Sequence, residues 1–391
     1  MKTILVVFLK EVLENLRDRR TVLNALVFVP LLSPLVFMAI VKIELTRRLD
    51  QGEKTLEVSV IGAENAPNLV GFLKQQGLRI KPPVADPEAA VRQRDEDVVV
   101  RIPASYAPSW KEGAPAQVDL VFDASQRDAM TSVERMRALL QAYSGQHAAV
   151  RLLVRGINPT IATPVVVASR DVSTPQSRGE GIFGMLPYLL VVASFVGGMY
   201  LAIDTTAGER ERQSLEPLLA NPVPRSSILA GKLAATVAFA FASLTLTVIG
   251  FGLAGLMVPS EAIGVHLNFG PSFVFTVLLA MVPLVLLASC LQTLVAAFAK
   301  SYREAQTYLT LLMLIPTLNA MLLVITPSKA VWWMYAVPLL GQHHIVTHLV
   351  RGESVTAAQL GLCLAGGMAA ALVCWLVTER VYQSEKLAVS A

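Results

Sequence analysis

The chain has 391 residues, of which 54% are hydrophobic and only 16% charged, whereas charged residues make up near a quarter of an ordinary soluble domain. The apolar residues are gathered into long uncharged runs, which excludes a water-soluble enzyme and identifies an integral membrane protein. Formal net charge is only +4, which argues against nucleic acid as a partner, and Cys290, Cys363 and Cys374 all lie inside apolar runs, where they cannot staple an external domain and have no metal-ligand spacing.

The first twenty residues carry Leu5, Phe8, Leu9, Val12, Leu13 and Leu16 at i, i+3, i+4, i+7, i+8 and i+11, with Lys10, Glu14, Arg17 and Asp18 on the other side. This spacing predicts an amphipathic helix in the membrane interface, abutting the first span. That span, Thr21 to Val41, is expected to be retained: a charged preface precedes it and no small-residue cleavage site follows it.

Residues 42–181 change character. They hold 18 Lys and Arg against 17 Asp and Glu. VSVIG (58–62) and EDVVVRI (96–102) read as strands, and DPEAAVRQRD (86–95) and Asp128 to Val154 as helices. A small inserted α/β domain outside the membrane is expected.

Five further uncharged runs are long enough to span: Ile182 to Ile203, Leu233 to Val258, Phe273 to Ala299, Gln306 to Thr326 and Thr356 to Val377. Val331 to Leu340, with Trp332, Trp333, Tyr335 and Pro338, is too short and reads as interfacial or re-entrant. Flanking Lys and Arg number thirteen on the side of the termini (Lys2, Lys10, Arg17, Arg19, Arg20, Arg210, Arg212, Arg225, Lys232, Lys300, Arg303, Arg380, Lys386) and two on the other (Lys329, Arg351). The positive-inside rule then predicts both termini in the cytoplasm.

The fold class expected is an α-helical membrane protein of six transmembrane helices with an extracytoplasmic α/β insertion between the first two. Its parts are an elbow helix at 1–20, a first helix at 21–41, the insertion at 42–181, a five-helix region at 182–378 and a tail at 379–391. The five-helix region contains a cytoplasmic loop at 204–232 and an interfacial segment at 327–355.

The loop 204–232 opens with Glu209, Arg210, Glu211 and Arg212, continues with an apolar ridge of Leu215, Leu218 and Leu219 beside Glu216, stops at Asn221-Pro222, and ends with Arg225 and Lys232. A charged collar around a short apolar ridge suits docking into a groove on another protein. A solvated loop whose arginines set topology is the plainer alternative. Gly231-Lys232 is not a phosphate loop, because Ser226 and Leu233 stand where a glycine and a Ser or Thr are required. No ATP-binding or other cofactor site is therefore expected in this chain, and no catalytic residue.

His343, His344 and His348 include an i, i+4 pair, but without a third ligand a polar interfacial turn is expected rather than a metal site. Asn24, Gln292, Thr317 and Asn319 are neutral polar groups inside spans and are candidates for a substrate path, although such groups more often join helices. The absence of an ionisable group at midspan weighs against an ion-coupled secondary carrier.

The segment GERERQSLEPLLANPVPRSSILAGK resembles the cytoplasmic signature of type-2 ABC exporter permeases, roughly E-[RK]-E-x-G-T-L-E-x-L-L-x-[ST]-P-[VI]-x-R-x-x-[IL]-x-x-G-K. Glu209, Glu211, Leu215, Glu216, Leu218, Leu219, Pro222, Arg225, Gly231 and Lys232 match it, while Gln213-Ser214 replaces Gly-Thr and Asn221 replaces Ser or Thr. RIPASYAPSWKEGAPAQVDLVFDAS (101–125) resembles the external-domain pattern of that family. PLLGQHHIVTHLVRG (338–352) resembles its sodium-efflux, NatB-type branch. The resemblance implies a permease in a bacterial or archaeal cell membrane that pairs with a soluble ABC ATPase, where ATP and Mg bind. It also implies a homodimer, or a heterodimer with a related permease, and coupling through Glu209 to Arg225. Sodium is the implied substrate and an amphipathic organic molecule or drug its rival. A membrane-anchored binding or scaffold protein acting through its external domain is the alternative from another class.

Overall fold

The computed structural model describes residues 2–53, 56–165, 170, 184–214, 217, 222–257, 269–325 and 330–383. The chain divides into two compact units, Met1–Thr46 with Val172–Ala391, and Arg47–Asp171.

From the N-terminus, α1 (Lys2–Arg17) is followed by α2 (Arg19–Val22), a π-helical stretch at Leu23–Phe28, and α3 (Val29–Glu53). Asp18 makes the elbow: its carboxylate accepts from the Thr21 backbone N–H at 3.2 Å and from the Thr21 hydroxyl at 2.7 Å, capping the helix that begins at Arg19.

Among the described residues, six helices are long and apolar enough to cross a membrane: Leu23–Ile43, Leu186–Glu211, Arg225–Met257, Pro271–Phe298, Tyr302–Leu323 and Ala357–Gln383, here spans 1 to 6. Span 2 is the hub, with 72% of its most apolar stretch buried. Its Leu190, Val191 and Phe195 pack with Phe37 of span 1, Leu244 and Phe251 of span 3, and Val277, Met281 and Leu284 of span 4. Spans 1, 5 and 6 instead turn Leu31, Leu35, Leu318, Leu322, Leu372 and Val373 outward, an apolar surface that suits lipid.

Several helices run further than the hydropathy predicts. Span 2 continues from Ile203 to Glu211, span 3 begins at Arg225 rather than Leu233, and span 6 reaches Gln383. The charged residues that would end these helices are accommodated by one another, as described below. Span 5 starts where Ser301 accepts from the Glu304 N–H and the Glu304 carboxylate takes the Lys300 N–H at 2.7 Å, a reciprocal N-terminal cap.

The interfacial segment is a 3-10 helix at Trp332–Ala336 leading into an α-helix at Leu340–Val350. Gly366 of span 6 lets it approach: a Cβ there would stand 1.9 Å from the Ala336 carbonyl oxygen. The three histidines therefore lie on a helix, not in the turn that was expected. Tyr335 lies near both imidazoles of the i, i+4 pair, its ring centroid 5.9 Å from His344 and 6.3 Å from His348. Its hydroxyl hydrogen-bonds His348 Nε2 at 2.8 Å, and His348 Nδ1 is bound to Glu353. Among the described residues no cluster of metal-ligating side chains occurs.

The second unit holds a four-stranded sheet in the order β2-β1-β3-β4, from β1 (Glu57–Ile61), β2 (Arg79–Lys81), β3 (Val98–Arg101) and β4 (Asp119–Phe122). The first three are parallel and β4 runs antiparallel to β3. The intervening helices are α4 (Pro67–Gln75), α5 (Pro87–Arg92) and α6 (Tyr106–Glu112), and the long α7 (Arg127–Val154) follows β4. Val98, Val99 and Val100 are all buried, the pattern of a central strand covered on both faces. Asp86 starts α5 by accepting from the Glu88 and Ala89 N–H groups, and Gly113, at φ 78°, ends α6 in the left-handed conformation.

Candidate coupling site

At the end of span 2 the helix widens into a π-helical turn, Asp204–Gly208, before Glu209–Glu211 closes it. A π turn shifts the helical register of the side chains that follow. Glu209 is then only 5% exposed. Opposite it, about two turns inside span 3, Lys232 is fully buried at 0%. The Lys232 ammonium donates to the Glu209 carboxylate and to the Thr205 carbonyl at 2.7 Å.

The third partner comes from α1. Glu11, 2% exposed, has a carboxylate oxygen 3.8 Å from the Lys232 ammonium. Lys10 completes the cluster at 3.1 Å from Glu11, 3.1 Å from Glu14 and 3.5 Å from Glu209. Burying ions costs several kcal/mol each unless they are paired and hydrogen-bonded. That requirement fixes α1 against the ends of spans 2 and 3. Burial, aided by the Glu209 carboxylate, pushes the Glu11 carboxyl up, although Lys232 and Lys10 pull against it. Burial opposes the Lys10 ammonium, but Glu11, Glu209 and Glu14 outweigh it and hold it above the ordinary lysine value.

Backbone contact makes the cluster possible. A Cβ on Gly231 would lie 2.6 Å from the Val7 Cβ and 3.0 Å from the Ile4 carbonyl oxygen, so α1 crosses span 3 at its glycine, next to Lys232. The protein-facing edge of α1 therefore includes Val7, Glu11 and Asn15, at steps of four. Much of the apolar stripe read from the sequence is open, with Leu5, Leu9, Leu13 and Leu16 exposed.

The collar residues tie in the remaining helices. Arg210 donates to the Ala299 carbonyl at 3.0 Å, just past the end of span 4. The Glu211 carboxylate accepts the Tyr302 backbone N–H at 2.7 Å, at the first turn of span 5, where helix N–H groups lack partners of their own. Arg212 returns to Asp204 at 2.9 Å. Arg225 donates to the Gln383 carbonyl at 3.3 Å at the end of span 6, while Tyr382 is buried with Leu229 and Ala297.

Gln213 takes a left-handed conformation, φ 56°, and the Ser214 and Gln213 N–H groups return to the Glu209 and Arg210 carbonyls. This is a helix-ending turn that favours glycine. It falls at the position where the permease signature carries glycine and this chain does not.

Glu209, Arg210, Glu211, Arg212 and Arg225 are thus brought together at the helix ends, each with a partner there, while Glu211 and Arg212 remain exposed. Pro222 is exposed just before span 3. The ridge residues Leu215, Leu218 and Leu219, with Glu216, lie outside the described residues.

The four candidate path residues lie on three spans. Asn24 is half-buried in the π-helical stretch of span 1, and Thr317 and Asn319 belong to span 5, where Thr317 is exposed and bonds the Met313 carbonyl at 2.8 Å. Gln292 is buried between spans 4 and 2, its amide donating to the Phe195 carbonyl at 2.6 Å. Sequence reasoning missed Glu11 and the burial of Lys232. The available signal was two opposite charges, Glu209 and Lys232, closing the two ends of the signature next to apolar spans, with an amphipathic helix nearby whose acidic residues exceed its polar face.

A family model described as ABC-2 family transporter protein matches residues 20–374. The chain belongs to this family. Among its relatives, the ABC-2 member is similar to the "ABC transporter permease protein NatB" of Bacillus subtilis (strain 168), with 24% identity over 352 residues covering 88% of this chain and 89% of the relative. No solved structure gives a significant match.

Proposed function

We propose that this ABC-2 family member is the permease subunit of an ATP-driven exporter, and that a separate soluble ATPase binds ATP and Mg and docks on the segment between Glu209 and Arg225. The observation that carries the reading is the burial of Lys232 between Glu209 and Glu11. It joins both ends of the signature segment to α1, so a force applied to that segment reaches spans 2 and 3 and the N-terminal helix together. The Arg210–Ala299 and Glu211–Tyr302 bonds extend the connection to spans 4 and 5.

In this reading both termini are cytoplasmic, 42–181 is extracytoplasmic, and two permease chains, identical or related, assemble with two ATPase subunits in the cell membrane. Sodium is the first substrate to test, on the resemblance to the sodium-efflux branch, and an amphipathic organic molecule is the rival. Reconstitution of the purified chain with its ATPase tests the function. ATP-dependent loss of ²²Na⁺ or of a drug from vesicles is expected only when both proteins are present; copurification without either a change in hydrolysis or transport would favour a scaffold instead.

A further inference from the structure

In the unit Arg47–Asp171, α6, α7 and the edge strand β4 enclose a cleft of about 440 Å³, within the size range of small-molecule sites. Successive turns of α7 supply Tyr143, His147 and Arg151, and α6 supplies Trp110. The rings form a continuous aromatic wall: Trp110 stacks on Tyr143 at 5.6 Å and 25°, His147 stands edge-on to Trp110 at 5.0 Å, and His147 and Tyr143 are 4.4 Å apart. The Arg151 guanidinium lies 4.4 Å from the Trp110 ring centre and donates to the Trp110 carbonyl at 2.9 Å, which fixes both groups. Leu120 of β4 and Val118 just before that strand give the apolar side, and Arg137, about four turns before Arg151 on α7, gives a second guanidinium.

The charge of the lining is one-sided. Among the described residues, two arginines line the cleft and no Asp or Glu does. Arg137 is held at 2.7 Å by Glu134, but both side chains are about half exposed, so that pair is weak and exchangeable. A structural core has no need of two guanidiniums at the edge of an aromatic wall. A ligand with a planar apolar body and an anionic end does: the body gains the ring surface and the anion takes charge-assisted hydrogen bonds from the arginines.

We propose that this cleft is a binding site for an aromatic organic anion, with Trp110 and His147, backed by the buried Tyr143, receiving the ring and Arg137 and Arg151 receiving the carboxylate, sulfonate or phosphate. The site lies wholly within the second unit and stands independently of the export reading.

The test is equilibrium dialysis of the full chain in phosphatidylcholine nanodiscs, with empty nanodiscs as the blank. The probes are naphthalene-2-sulfonate and 2-naphthylmethylammonium, which share a ring and differ in charge. Saturable binding of the sulfonate is expected, with the ammonium at least about tenfold weaker, the factor that roughly one charge-assisted hydrogen bond supplies. Arg137→Gln and Arg151→Gln should each weaken the sulfonate by about tenfold, and Trp110→Ala should abolish saturation. Because Arg151 also braces α6, the exposed Arg137 variant and the charge comparison on the unaltered chain carry the decision. Equal binding of the two probes, no saturable binding of the sulfonate, or an unchanged affinity in Arg137→Gln would overturn the proposal.

Discussion

Lys232 and Glu209, 23 residues apart, are bonded to each other inside the protein, the lysine fully buried and the glutamate nearly so. The segment between them is the part of the chain that the signature singles out, so its two ends are one rigid point. Glu11 approaches the same ammonium from α1.

Removing the shared cation leaves two buried carboxylates with only the half-exposed Lys10 beside them. Lys232→Met should destabilise this end of the protein by about 3–5 kcal/mol. Adding Glu209→Gln should restore part of the loss, because the uncompensated charge goes with it. Thermal unfolding of the single and double variants in detergent measures this, and strictly additive losses would mean the two side chains do not interact.

Glu11 carries a pH signature. Its carboxyl is raised above the ordinary value of 4.5, chiefly by burial. A raised acid binds its proton more tightly when folded, so its contribution to stability is fully present below that value and is lost as pH rises through the raised one. The difference in melting temperature between the parent and Glu11→Gln should therefore change as pH rises above 4.5, the parent losing ground to the variant. A pH-independent difference would place Glu11 at its ordinary value.

Gln213 occupies a left-handed turn that costs a side-chain-bearing residue about 1 kcal/mol. Gln213→Gly should therefore stabilise the chain by up to about that amount, less the extra freedom glycine brings to the unfolded state. A lower melting temperature in the variant would show that the Gln213 side chain is held by contacts that outweigh the strain.

A charge at the rim of a docking surface would be worth about 0 to 1 kcal/mol. Arg210 does more, since it supplies the donor for the Ala299 carbonyl where span 4 ends. Arg210→Ala should cost about 1–3 kcal/mol and weaken transport, with Arg210→Lys intermediate. Leu215→Asp with Leu218→Asp should instead leave the melting temperature and membrane insertion close to the parent's while abolishing ATPase copurification. Equal effects of the two changes on copurification would remove the distinction between anchor and docking surface.

Much of the membrane architecture was legible because lipid imposes a length rule that runs of apolar residues display directly. The strands around Val58 and Val98 and the helices at Pro87 and Arg127 were legible for a similar reason, since valine runs and a Pro-led acidic start are local signals. The ends of spans 2 and 3 were not. Hydropathy stops a helix at its first charge, and it does not register that Glu209 and Lys232 neutralise each other across two helices. Glu11 was hidden in the same way: the moment of α1 reports its apolar stripe, while the edge that contacts the protein is chosen by Gly231, a residue on another helix. The left-handed turn at Gln213 could be read only against the glycine of the family pattern.

The most direct measurement is ATP hydrolysis and copurification of the partner ATPase with the reconstituted parent chain, Lys232→Met and Leu215→Asp/Leu218→Asp, each at matched protein amounts. The account predicts no hydrolysis by any permease chain alone and hydrolysis altered by the parent. It further predicts retained copurification with lost alteration in Lys232→Met, and loss of both in the double-Asp variant. Hydrolysis by the purified parent chain alone, or parent-like behaviour of both variants, would contradict it.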